Sequence, residues 1–172
     1  MPSPTWLAWQ RKLDMVYLTF FLIHIPIMLT IALYPLSPPR LIPTLLTDIR
    51  TWYIATYNDR FFTDPPRWFT LFTVLEAAYH IPVTMTSIGP LWSGKASPTL
   101  HLNLLLFALQ TALTTMVCIF EYQGWSSETS QLNGLYYPYL FFAVFMCVDM
   151  YERVRGRLED AAKVEEEGRK GI

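Results

Sequence analysis

Charge is distributed along this chain more unevenly than a water-soluble fold allows. Of its 27 Asp, Glu, Lys and Arg residues, three lie in Met1–Asp14 and thirteen in Asp149–Ile172, leaving eleven for the 134 residues between. Seven of those eleven sit in one loop, residues 36–67. Charged residues make up 16% of the chain, against roughly 25% in a soluble domain, while 52% are hydrophobic and 16% aromatic. A chain this poor in central charge cannot clothe a globule in water, and the pattern is that of an integral membrane protein with a single domain. Net charge −1 without a basic stripe excludes a nucleic-acid binder, and two cysteines exclude a disulfide scaffold. Cys118 and Cys147 lie in apolar runs, where a thiol behaves as a small hydrophobe.

Crossing the hydrocarbon core takes about 20 mostly apolar residues. Four stretches meet this, at residues 15–35, 68–90, 99–120 and 132–150, and they predict an all-α, four-helix membrane domain over residues 13–150. Residues 1–12 precede it and a charged tail, 151–172, follows. The first apolar run is too long for the core of a cleaved signal peptide. Arg11 and Lys12 stand before the first span, Lys95 between the second and third, and Arg153, Arg155 and Arg157 after the fourth, whereas the loop between the third and fourth has no basic residue. By the positive-inside rule both termini are cytosolic. The first loop, 36–67, reads LIPTLLTDIRTWYIATY over 41–57, with apolar residues at helical spacing. An amphipathic segment lying on the bundle or folding back into it is expected there. The tail interleaves Glu with Lys and Arg and is expected as a solvated helix, and its Arg169-Lys170-Gly171-Ile172 resembles a dibasic endoplasmic-reticulum retrieval signal.

The spans carry polar groups that demand an explanation. Pro26, Pro82 and Pro138 each lie inside a span, where proline removes an amide and pushes off the carbonyl four residues back, here Leu22, Ala78 and Gly134. In lipid those carbonyls need partners in the protein or in water. Two of the prolines share a tripeptide, His24-Ile25-Pro26 and His80-Ile81-Pro82. Glu76 falls near the middle of the second span, and an ionisable group at that depth marks a functional site by default. His80 follows one turn later on the same face, where the pair can share a proton or hydrogen-bond. Glu121 ends the third span, reaching the same cavity or sitting at the interface.

No nucleophile elbow, HExxH zinc motif, P-loop or dinucleotide fingerprint occurs, so neither a cofactor nor a metal is expected. One acid–base chemistry suits such a cavity: moving a carbon–carbon double bond in a sterol. It needs a proton donor, a base and a group that stabilises a carbocation, and Glu76, His80 and Glu121 among tryptophans and tyrosines supply all three.

YLTFFLIHIPI at Tyr17–Ile27, WYIATYND at Trp52–Asp59, DPPRWF at Asp64–Phe69, LEAAYHIP at Leu75–Pro82, IFE at Ile119–Glu121 and YYPYL at Tyr136–Leu140 follow one another at the spacing of one family. From about residue 10 to 153 the chain resembles the EXPERA family, in its sigma-2-receptor-like branch. The resemblance implies a four-span endoplasmic-reticulum protein, often a homodimer, whose pocket opens toward lipid and holds sterols or hydrophobic cationic amines. It implies roles in sterol handling and trafficking or, in a fungal branch, in quality control of mitochondrial precursor proteins. By position, Asp59 matches an acidic pocket residue, Glu76 a buried glutamate and Tyr139 a pocket tyrosine. The first-span aspartate that meets the ligand's amine corresponds to Ala32, which favours a neutral sterol or lipid over an amine. The family's sterol isomerases carry histidine then glutamate in the second span; the order here is Glu76 then His80, which favours a binding protein over an enzyme. The expected cavity is lined by Tyr17, Glu76, His80, Gln110 and Tyr139, with His24, Asp59 and Glu121 as further ligand contacts.

Overall fold

The computed structural model describes residues 4–29, 43–125 and 130–170; Ala32, the start of the first loop and the end of the retrieval-like tetrapeptide lie outside them. Among the described residues every regular element is helical. They form two compact units, Met1–Lys95 and Ala96–Ile172.

The first unit begins with α1, Pro4–Ile27, which continues through Pro26 into a π-wound stretch at Met28 and Leu29. Leu13, Tyr17, Phe21, His24 and Met28 repeat every three or four residues and are buried. Val16, Leu22, Ile23 and Ile27 face outward and are equally apolar. A helix that is greasy on both faces suits lipid rather than water. After α2 (Thr44–Tyr57) and a single 3₁₀ turn at Arg60–Phe62 come α3 (Arg67–Leu75), a π-helical turn (Glu76–His80) and α4 (Ile81–Ser93), wound as one continuous rod. The inner face of α1 packs along α4. At one end the Arg11 guanidinium donates to the carbonyls of Leu91 and Trp92, two of the orphan acceptors that end α4. Gly94 closes that end at φ 69°, its N–H on the Pro90 carbonyl.

The expected amphipathic segment is present as α2, with Leu46, Tyr53, Ile54 and Tyr57 half-buried and one charge on the same inner side. Leu45, Ile49 and Trp52, at i, i+4 and i+7, are exposed, whereas Arg50 is buried. The cause is the loop that follows. Arg50 donates to the Phe62 carbonyl at 2.7 Å and lies 5.6 Å from the centre of its ring. Phe61, Phe62, Trp68, Phe69 and Phe72 pack ring to ring beside it.

The second unit is a pair of packed helices, α5 (Pro98–Gln123) and α6 (Ser130–Lys170). Ser97 caps α5, its hydroxyl accepting from the Leu100 N–H, and Pro98 sits at the first position, where no amide is needed. Leu104, Phe107, Ala108, Thr111, Thr115 and Tyr122 are buried. Leu102, Leu106, Leu109, Leu113, Val117 and Phe120 form an exposed apolar stripe at the same spacing. The threonines hide their hydroxyls by donating to carbonyls one turn back, Thr111 to Phe107 and Thr115 to Thr111. At about 1.5 Å per residue α5 is about 39 Å long, more than the hydrocarbon core. By length and composition α5 and α6 are the helices able to cross a membrane among the described residues. The first expected span runs on past residue 29, outside those residues, and the second is divided by the π turn. No break separates the fourth expected span from the tail. α6 passes straight through residue 150 and on to Lys170, laced by pairs such as Arg155 with Glu152 and Glu159. Where it leaves the apolar stretch, Asp149 and Arg153 form an ion pair at 3.0 Å that is almost fully buried.

Candidate functional site

The polar groups of the first unit gather around the π turn. Ile81 donates its N–H to the Glu76 carbonyl, five residues back instead of four, and this widens the helix there. Pro82 explains the position. Its ring would clash with the Ala78 carbonyl in an α-helix and it has no amide to offer, so inserting a residue relieves the clash. Whichever register resumes beyond it, Pro82 withholds a donor from the carbonyls of Ala77 and Ala78. The sequence predicted freed carbonyls and kinks; the second helix meets the demand by widening.

The turn sets Glu76 and His80 apart in environment. His80 is fully buried, while Glu76 stays half-buried. No hydrogen bond joins their side chains among the described residues, so the expected shared proton is not seen. The second histidine arrives from α1 instead: His24, buried and stacked on Phe20 at 5.0 Å, lies near His80. The two His-Ile-Pro tripeptides thus meet across the α1–α4 contact. Tyr17, fully buried, lies two turns earlier on the same face of α1.

Sequence reasoning passed over the neighbours on α4. Thr84 and Ser87 continue the face of His80 at i+4 and i+7 and are fully buried. Ser87 donates to the Val83 carbonyl at 2.6 Å, whereas the Thr84 hydroxyl has no partner among the described residues. The spacing was the available signal, hidden because threonine and serine seldom attract notice in an apolar run. From His80 into α4 the buried face therefore presents an imidazole and a hydroxyl in succession, one turn after the Glu76 carboxyl group in sequence. This set can donate to and accept from one oxygen function on an otherwise apolar ligand.

Asp59 occupies a different place. Fully buried, it accepts from the Tyr53 hydroxyl at 2.8 Å through Oδ2 and from the Phe61 N–H at 3.0 Å through Oδ1. Both oxygens hold the loop that follows α2. Neither Tyr53 nor Arg50 was singled out from sequence, because their roles depend on how that loop turns.

In the second unit Gln110 lies mid-helix in α5, its Nε2 buried and donating to nothing among the described residues. Tyr139 is half-buried on α6. Glu121 is exposed at the end of α5. Nearby, Tyr122 donates to Asn133 at 2.9 Å and Gln123 donates to the Tyr137 hydroxyl at 2.7 Å, tying α5 to α6. Among the described residues no three His, Cys, Asp or Glu side chains converge as a metal ion requires.

Comparison with known proteins adds the following. A sequence model of EXPERA (EXPanded EBP superfamily) matches residues 45–150. A Xenopus tropicalis protein named sigma intracellular receptor 2 is 26% identical over 165 residues, covering 89% of this chain and 96% of its own. The Homo sapiens protein of that name is 24% identical over 172 residues, covering 91% and 97%. A Schizosaccharomyces pombe protein named efficient mitochondria targeting-associated protein 19 is 24% identical over 145 residues, covering 84% of this chain and 78% of its own.

Proposed function

The chain belongs to the EXPERA family, and on that premise we propose that it holds a neutral sterol or related lipid within the endoplasmic-reticulum membrane, in the service of sterol or lipid homeostasis or trafficking. On this reading it crosses the bilayer four times with both termini in the cytosol, and it works as a binding protein, a homodimer, and not as an enzyme. The observation that carries the reading is the π turn. It sets Glu76 and His80 into a largely apolar helix, one turn before a Thr84 hydroxyl that has no partner among the described residues, and polar groups there are costly unless something uses them. The ligand's hydroxyl meets these groups, and its rings lie against the apolar side chains of α1 and α4, with Tyr17 and His24 as contacts from α1. A neutral ligand is favoured over an amine because the Asp59 oxygens already hold Tyr53 and Phe61.

Purified protein titrated with a fluorescent sterol should bind it saturably, and Glu76→Gln and Thr84→Val should each weaken that binding. Incubation with a Δ8-sterol should return it unchanged; conversion to the Δ7 isomer that is lost in Glu76→Gln would establish the isomerase instead. The similarity to the Schizosaccharomyces pombe protein supports a second reading, an adaptor in the handling of mitochondrial precursors. That reading expects co-purifying protein partners that survive Glu76→Gln and Thr84→Val.

A further inference from the structure

At the far end of α5, away from the π turn in sequence, the chain forms a concavity of about 460 Å³ lined by Phe120, Glu121, Gln123, Gly124 and Trp125. Its walls are held in place. Gln123 is tied to the Tyr137 hydroxyl, and the Trp125 ring lies 6.2 Å from that of Tyr122, whose own hydroxyl is bound to Asn133. Gly124 forms part of the lining, and a Cβ there would come within 3.3 Å of the Glu121 carbonyl, a tight contact at the end of the helix.

The charge in this concavity is uncompensated. The Glu121 carboxylate makes no ion pair or hydrogen bond among the described residues, and the sequence has no lysine or arginine between Lys95 and Arg153. The C-terminal end of a helix adds partial negative charge. The same concavity is lined by Phe120, 83% exposed, and by Trp125. A carboxylate beside aromatic faces suits a cation, and above all a methylated ammonium, which gives no hydrogen bonds and is held by ring faces. A phosphate finds no basic partner in this stretch of chain.

We propose that Phe120, Glu121 and Trp125 form a site for the quaternary ammonium of a phosphatidylcholine headgroup. The proposal rests on the reading that α5 crosses the bilayer, since its end then lies among the headgroups. There the ammonium sits on the rings against Glu121, the phosphate stays in water, and the acyl chains run down the exposed stripe of Leu113, Val117 and Phe120. Anionic lipids are disfavoured, because Glu121 repels their only charge. The site is independent of the sterol groups on α4.

The test is native mass spectrometry of the purified full-length protein in mild detergent, with equimolar phosphatidylcholine and phosphatidylglycerol of the same acyl chains. Wild type should carry the choline lipid in roughly fivefold excess, the scale expected from exposed cation–π contacts aided by a carboxylate. Glu121→Gln should bring the two lipids close to parity, and Trp125→Ala and Phe120→Ala should each lower the choline-lipid adducts without raising the others. Tetramethylammonium should compete away the excess in wild type alone. Circular dichroism confirms that the variants keep their helices, and Glu121 and Phe120 are exposed enough for this to be expected. Parity in wild type, or an excess unchanged in both Glu121→Gln and Phe120→Ala, overturns the proposal. Sterol binding is read separately and neither outcome depends on it.

Discussion

Replacing Asp59 by alanine removes two acceptors at once from a place without water. The Phe61 N–H, donating at 3.0 Å, loses the cap that starts the 3₁₀ turn, and the Tyr53 hydroxyl, donating at 2.8 Å, loses its partner. Hydrogen bonds to a charged group are each worth about 1.5–3 kcal/mol, and a buried donor left unpaired keeps its desolvation cost. Since both donors meet one carboxylate their losses overlap, and the cost expected for Asp59→Ala is about 3 kcal/mol. Asp59→Asn keeps an acceptor for Phe61 and turns an amide toward the Tyr53 oxygen, so about 1 kcal/mol is expected. Tyr53→Phe should fall between the two. The assay is thermal unfolding in detergent followed by circular dichroism, read beside sterol binding at a temperature where all variants are folded. At roughly 2–4 °C per kcal/mol for a chain of this size, Asp59→Ala should lower the midpoint by about 6–12 °C, while leaving sterol affinity near that of wild type. A midpoint within 1 °C of wild type, together with lost ligand binding, would falsify the structural role given to Asp59 and return it to the ligand.

Two further perturbations address the helices. Pro82→Ala supplies the missing amide and lets the Glu76–His80 turn tighten toward α-helix; thermal stability should hold or rise, while sterol affinity falls about fivefold, equivalent to about 1 kcal/mol. Unchanged affinity would remove the π turn from the binding argument. Arg153→Ala strands the buried Asp149 carboxylate 3.0 Å from where its partner stood, and a loss of about 3 kcal/mol is expected in the same unfolding assay; a loss below about 0.5 kcal/mol, the level of an exposed helical pair, would show that water reaches the pair.

The helices were written into the sequence because they depend on local terms: the central scarcity of charge, apolar residues at a 3.6 period on two faces, and Ser97-Pro98 as a start signal. The same terms placed Glu76, His80 and His24 as polar residues in apolar runs. What packing decided was how those residues are used. Pro82 announces that a hydrogen-bond donor is missing, but the choice between bending and widening depends on the neighbours of the helix, and it fell on a π turn at Glu76–His80. Periodicity marked the 41–57 segment as two-faced without saying which face goes inward. Arg50 was drawn in by the Phe62 carbonyl and ring, contacts 12 residues away in sequence. Asp59 looked like a free acid before the second span, yet the turn after α2 brings the Tyr53 hydroxyl and the Phe61 amide onto its two oxygens. The meeting of His24 with His80 depends on the antiparallel seating of α1 on α4. Spacing within one helix tells which residues share a face, but only the packed chain determines which two faces meet.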